Sequence, residues 1–183
     1  MSLGKVVVNR SMSLDGFIGS RPDGTGPRWP RPGRFVPQEV LTEAAARTGA
    51  MLVGRRTWEV GDRMEEEEPG SVDYPFHGPM FLLSHRPLDP PDPDVTILSG
   101  DIGDAVATAL EAADGKDLEI LGADVATQCL QRGLVDEVLV YVLPFFFGDG
   151  VHISAPGLTP VDLVPLSTTP AGDVTVLRFQ VRQ

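Results

Sequence analysis

Arginines beside glycine suit anions, and the chain carries such a pair in Gly54-Arg55-Arg56-Thr57-Trp58-Glu59. Gly54 permits a tight turn, and free amides at a helix start attract negative charge. Two guanidinium groups and the Thr57 hydroxyl add charge-assisted donors. Adjacent arginines suit a phosphomonoester, such as the 2′-phosphate of NADP, better than a pair of hydroxyls. The competing reading is two solvated arginines on a helix. A second segment, Gly122-Ala123-Asp124-Val125, sits where a strand passes through a small-residue turn into a helix, which is phosphate-cradle geometry. It lacks the further glycines of a dinucleotide fingerprint, so an ordinary strand-to-helix turn is the competing reading. A third, Ser84-His85-Arg86, closes a strand where Ser84 and Arg86 could meet an adenosine ribose or phosphate.

Two further segments suit the substrate side of such a site. Ser13-Leu14-Asp15-Gly16 puts the Asp15 carboxylate at a strand end, where it could position a proton relay or bond a polar ring. An Asp-Gly pair that merely turns the chain is the alternative. Phe145-Phe146-Phe147 precedes the Gly148-Asp149-Gly150 turn, and these aromatics could line a pocket wall, although at least two are expected to serve as core. His77, His85 and His152 stand apart in sequence, and Cys129 is the lone cysteine, so no metal site is expected.

Hydrophobic periodicity gives the elements that must position these residues. Lys5–Met12 reads as a buried strand, and residues 19–34 as a long Gly-, Pro- and Arg-rich loop. A helix is expected over Pro37–Thr48, a strand over Ala50–Val53, and a helix that starts after GRRTWE and gives out in the acidic run Glu65–Glu68. Strands follow at Pro79–Leu83 and Val95–Leu98, a helix at Ile102–Ala113 and a strand at Leu118–Leu121. The next helix is expected over Asp124–Arg132 with Asp124 as its N-cap, and then a strand over Val135–Leu143. Two strands, near Leu158–Ser167 and over Val174–Val181, end the chain as an antiparallel hairpin. Alternating strands and helices predict an α/β fold. Its central sheet is mostly parallel, with helices on both faces and an antiparallel C-terminal edge. With no repeat and no linker, residues 1–183 read as a single domain. Ligands of such sheets bind beyond the carboxyl ends of the strands, where the glycine segments fall.

The 183 residues suffice for a sizeable core, and 42% hydrophobic with 22% charged is an ordinary globular balance. A net charge of -11 excludes a nucleic-acid surface and requires any anionic ligand to be held by a local site working against the overall field. No stretch is long and apolar enough to span a membrane, so no membrane partner is expected. Met1-Ser2-Leu3 is assigned no role; without an apolar leader and with one cysteine, the expected compartment is the cytoplasm.

The order SLDG, GRRTWE, LSHRP, an ILG turn before a helix, then RGLVDEVLVYVLPFFFGDG resembles the RibD C-terminal domain family, a branch of the dihydrofolate reductase-like superfamily. The likeness runs from Lys5 to Val181. GRRTWE is similar to the Gly-Arg-x-Thr-Trp cofactor motif of dihydrofolate reductases. Gln131–Glu137, leading to Pro144 and Gly148-Asp149-Gly150, is the signature of the RibD-like branch. The resemblance implies an eight-stranded sheet and an NADPH-dependent reductase that acts on a small heterocyclic or carbonyl substrate. Gly54, Arg55, Arg56 and Thr57 would contact phosphates, Ser84 would lie near the adenosine, and Gly122, Ala123, Asp124 and Val125 would wrap the pyrophosphate. Relatives commonly have a second glycine where Ala123 stands. The resemblance makes Asp15 the first candidate on the substrate side and Glu39 the counterpart of the dihydrofolate reductase carboxylate. Trp29 would close over the nicotinamide from the long loop, and the protein would be a homodimer. The competing readings are true dihydrofolate or riboflavin-pathway reductase activity and a non-catalytic nucleotide-binding protein that keeps the fold.

Overall fold

The computed structural model describes residues 4–30, 32–70 and 74–182. Met1-Ser2-Leu3 lie outside the described residues. The chain opens with β1 (Val6–Ser13), a run rich in β-branched residues that suits a buried strand. After β2 (Phe17–Gly19) the described residues of the long loop include a 3-10 turn (Pro32–Arg34) before α1 (Gln38–Arg47). Then come β3 (Thr48–Gly54), α2 (Arg55–Glu67), β4 (Met80–Leu83), β5 (Val95–Leu98), α3 (Ile102–Ala112), β6 (Asp117–Leu121) and α4 (Ala123–Gln131). β7 (Glu137–Leu143), β8 (Val151–His152), β9 (Leu163–Ala171) and β10 (Val174–Val181) complete it.

Eight strands form one sheet in the order β5-β4-β3-β6-β1-β7-β10-β9. β5 through β7 in that order run parallel, while β10 lies antiparallel to β7, and β9 antiparallel to β10. This is the expected mostly parallel sheet with an antiparallel C-terminal edge. β2 and β8 pair separately.

Both sheet faces are covered. α3 places Ile102, Ala105, Val106 and Ala109 on one stripe. With Val125, Ala126 and Cys129 of α4 they bury Val6, Val8, Ala50, Leu52, Leu118 and Ile120. Cys129 is thus core, and burial pushes its thiol up to about 12. On the other face Leu41 of α1 packs with Val36, Trp29, Tyr141, Leu143 and Val174.

Three expectations are corrected. The strand placed near Leu158–Ser167 is β9, Leu163–Ala171, because the Gly172-Asp173 turn pairs Val174 with Ala171 and sets the register back from there. Pro165 and Pro170 are tolerated because β9 is an edge strand. Asp124 does not cap α4: Gly122 occupies that position and Asp124 lies in the first turn. β7 begins at Glu137, after a fully buried Val135.

Candidate active site

The adjacent parallel strands β3 and β6 end level, with Val53 opposite Leu121. Each passes through one glycine into a helix: Gly54 into α2 and Gly122 into α4, and no side chain caps either helix. The turns are pressed together. A Cβ on Gly54 would lie 2.8 Å from Val125 Cγ2, and one on Gly122 would lie 2.6 Å from Thr57 Oγ1. Gly122 also has φ +96°, a left-handed conformation that disfavours every other residue. Each helix start leaves its first amides without intrahelical partners and carries the positive end of its dipole. Two such starts side by side make an anion cradle of backbone.

The arginine pair divides its work. Arg55 Nε pairs with Glu59 Oε1 at 2.7 Å; its Nη1 donates to Ser84 Oγ (3.2 Å) and to the carbonyls of Arg86 and Pro87 (2.9 Å each). Ser84, almost wholly buried, also bonds the Arg86 backbone through both its acceptor and its donor. Arg55 therefore binds the end of β4 to the start of α2. Arg56 remains exposed and pairs across the cradle with Asp124, Nη1 to Oδ2 at 3.1 Å. Thr57 is exposed on the first turn of α2.

A residue not selected from the sequence lies beneath the cradle. Arg10 of β1 is 6% exposed and donates to the carbonyls of Asn9 (2.6 Å), Ile120 (2.7 Å) and Gly122 (3.1 Å). Its Nε is buried without a partner. Burial lowers its pKa to about 10, opposed by the charge of Glu119, so it stays protonated at neutral pH. The available signal was a polar Asn9-Arg10 pair directly after the apolar run Val6–Val8.

Asp15 lies across the sheet end, on the turn after β1. Its Oδ1 accepts from the Phe147 amide (2.9 Å) and the Ser13 hydroxyl (2.6 Å), and its Oδ2 from the Gly148 amide (2.8 Å). Desolvation opposes its charge, but the bonds from Phe147, Ser13 and Gly148 prevail and hold the carboxyl down at about 2. Asp15 thus clamps the β1–β2 turn to the segment after β7.

The loop and the aromatics meet. Trp29, 8% exposed, contacts Phe145 at 5.7 Å and Phe147 at 4.9 Å between ring centroids, and Phe35 stacks on Phe145 at 5.3 Å. Phe146 is exposed. Arg21 pairs with Asp149 at 2.8 Å, Arg28 with Glu67 at 3.2 Å, and Arg63 donates to the Pro22 carbonyl. The loop thus spans from the end of α2 to the turn after β7. Glu39 is exposed on the first turn of α1, apart from the Asp15 clamp. On the α1 face of the sheet the buried Glu119 Oε1 accepts from Asn9, Thr48 and Tyr74, and burial pushes the Tyr74 hydroxyl up, with the Glu119 charge adding to it. A cavity of about 390 Å³, lined by Thr48, Gly49, His77 and Lys116 among others, opens at the opposite end of the strands.

The family model for the RibD C-terminal domain matches residues 4–177. The chain belongs to the RibD C-terminal domain family. A protein from Shewanella sp. PV-4 assigned to riboflavin biosynthesis has a similar structure: TM-score 0.71 at 21% identity, covering 98% of this chain and 99% of the other. RibD from Acinetobacter baumannii gives a TM-score of 0.66 at 16% identity, covering 99% of this chain and 59% of that larger protein. Dihydrofolate reductase from Enterococcus faecalis, solved with NADP(H), gives a TM-score of 0.60 at 16% identity, covering 100% and 99%. No curated protein sequence matches. At these identities the likeness establishes a fold shared with reductases. Among the described residues no helix is long and apolar enough to cross a membrane.

Proposed function

We propose that the protein is an NADPH-dependent reductase of a small heterocyclic or carbonyl substrate. The observation that carries this reading is the pair of uncapped helix starts at Gly54 and Gly122, packed so closely that a Cβ at either would collide. The cradle suits a pyrophosphate, because it presents the backbone amides of two helix starts, with only the small Ala123 directly after Gly122. Gly54, Thr57, Gly122, Ala123 and Val125 would hold the phosphates, with Asp124 orienting Arg56. Arg55, fixed on Ser84, would face the adenosine side, where a 2′-phosphate selects NADPH over NADH. The bound cofactor supplies the hydride. The chain's own work is to orient and to exclude water: Trp29 and Phe145 form an apolar wall, and the loop over residues 19–34 shields it.

Asp15 is held ionised by three donors, so its role is to position the Phe147-Gly148 backbone rather than to deliver a proton. Glu39 is the remaining candidate for substrate contact on α1. The engagement of Asp15 also favours a second reading, a nucleotide-binding protein without turnover. Titration with NADPH and NADH, followed by nicotinamide fluorescence, tests cofactor use; the reading requires preference for NADPH, and binding of neither sinks it. Turnover against dihydrofolate, pterins and pyrimidine ribosyl phosphates separates reductase from binding protein. The proposed assembly is a cytoplasmic homodimer joined along β9, whose Leu163 and Leu166 are exposed; a monomer by light scattering would remove it.

A further inference from the structure

A buried cation is costly unless something neutralises it. Arg10 is such a cation. Among the described residues no carboxylate lies within ion-pair distance of it, its Nε has no partner, and its bonds go to backbone carbonyls. Two of these carbonyls, Ile120 and Gly122, belong to β6 and the cradle turn. The Gly122 carbonyl also accepts the first helical bond of α4, from the Ala126 amide at 3.0 Å. Arg10 therefore grips the residue that caps α4, behind the free amides of its first turn.

This placement sets three positive contributions together: the α2 start, the α4 start and a guanidinium buried under them. Like contributions repel, and the low dielectric of the core strengthens the repulsion. Glu119 offsets the guanidinium only in part and Asp124 is paired with Arg56, while the molecule as a whole carries -11. An anion entering the cradle offsets them all.

We infer that Arg10 is a positioning residue for a pyrophosphate-bearing ligand, holding the Gly122 turn and supplying fixed positive charge behind the cradle. The ligand meets the amides of the turn and never touches the guanidinium. This inference rests on the reductase reading for the identity of the ligand, but the charge logic concerns the pyrophosphate alone.

The test uses the full chain and R10K, R10Q and R10M, each checked by its melting curve and titrated with NADPH, inorganic pyrophosphate and adenosine. R10Q keeps a donor but loses the charge; R10M is a second neutral variant should R10Q fail to fold. The neutral variants are expected to lose about tenfold in affinity for NADPH and pyrophosphate, the scale of one partly screened unit charge, with adenosine unchanged. R10K is expected to stay within about threefold of the native chain. Native anion affinity in a folded neutral variant overturns the inference. So does an equal loss for adenosine, which marks a merely deformed turn, and so does a folded R10K as weak as R10Q. If the native chain binds pyrophosphate but not NADPH, the reductase reading falls and Arg10 is judged on pyrophosphate. Binding of neither overturns both.

Discussion

The two halves of the crevice are built from different materials. On the proposed phosphate side, the Gly54 and Gly122 turns and the Arg10 bonds beneath them present backbone, fixed by sheet register and by contacts that leave no room for a Cβ. On the proposed substrate side, the described residues of the loop over 19–34 are tied down by side chains: Trp29 against Phe145 and Phe147, Arg21 on Asp149, Arg28 on Glu67. In the proposed division, fixed backbone holds the cofactor and side-chain walls select the substrate. The phosphate side should therefore fail abruptly when perturbed and the substrate side by degrees.

The largest effect is expected from Gly122→Val. Its Cβ meets Thr57 Oγ1 at 2.6 Å and its φ is +96°, so strain of about 2 kcal/mol or more falls on the turn. NADPH affinity should drop below detection while a melting curve still shows a folded protein. A variant that binds NADPH normally would mean that the cradle is not the site.

Arg55→Ala comes next. It frees Ser84 and the carbonyls of Arg86 and Pro87, so NADPH affinity should fall about tenfold with NADH little changed. Equal losses for both cofactors would assign Arg55 a structural role only.

Asp15→Ala tests the clamp between the halves. Turnover should suffer more than NADPH affinity, because Phe147 and Gly148 lose their acceptor. The Asp15 pKa is depressed when folded, from 3.8 to about 2, so its stabilisation is present above pH 3.8 and lost as pH falls through 2. Native and variant melting temperatures should differ at pH 7 and converge near pH 2. A constant gap across that window would detach the clamp from the carboxylate charge.

The smallest effect belongs to Arg21→Ala. Its ion pair with Asp149 is half exposed, and such pairs contribute roughly 0–1 kcal/mol. Substrate KM should rise modestly with NADPH affinity intact; a change in NADPH affinity alone would erase the division into halves.

This division also explains what the sequence could show. Gly54 and Gly122 were legible because a strand, a glycine and a helix follow one another locally, and alternation of such units dictates a parallel sheet. The roles of Asp15 and Arg10 were not. The amide partners of Asp15 lie 132 and 133 residues away, and those of Arg10 at Ile120 and Gly122 lie 110 and 112 away, so only the assembled sheet reveals them. β9 was displaced for the same reason, since its register is set by the Gly172 turn and β10 rather than by its own pattern. β2 and β8, paired apart from the main sheet, are too short for any period to register.

The most direct test is a titration of isotope-labelled protein with NADPH, read from backbone amide resonances. Gly54, Arg55, Thr57, Gly122, Ala123 and Val125 are expected to shift first and most. Shifts concentrated instead around Thr48, Gly49, His77 and Lys116, at the opposite end of the strands, would contradict it.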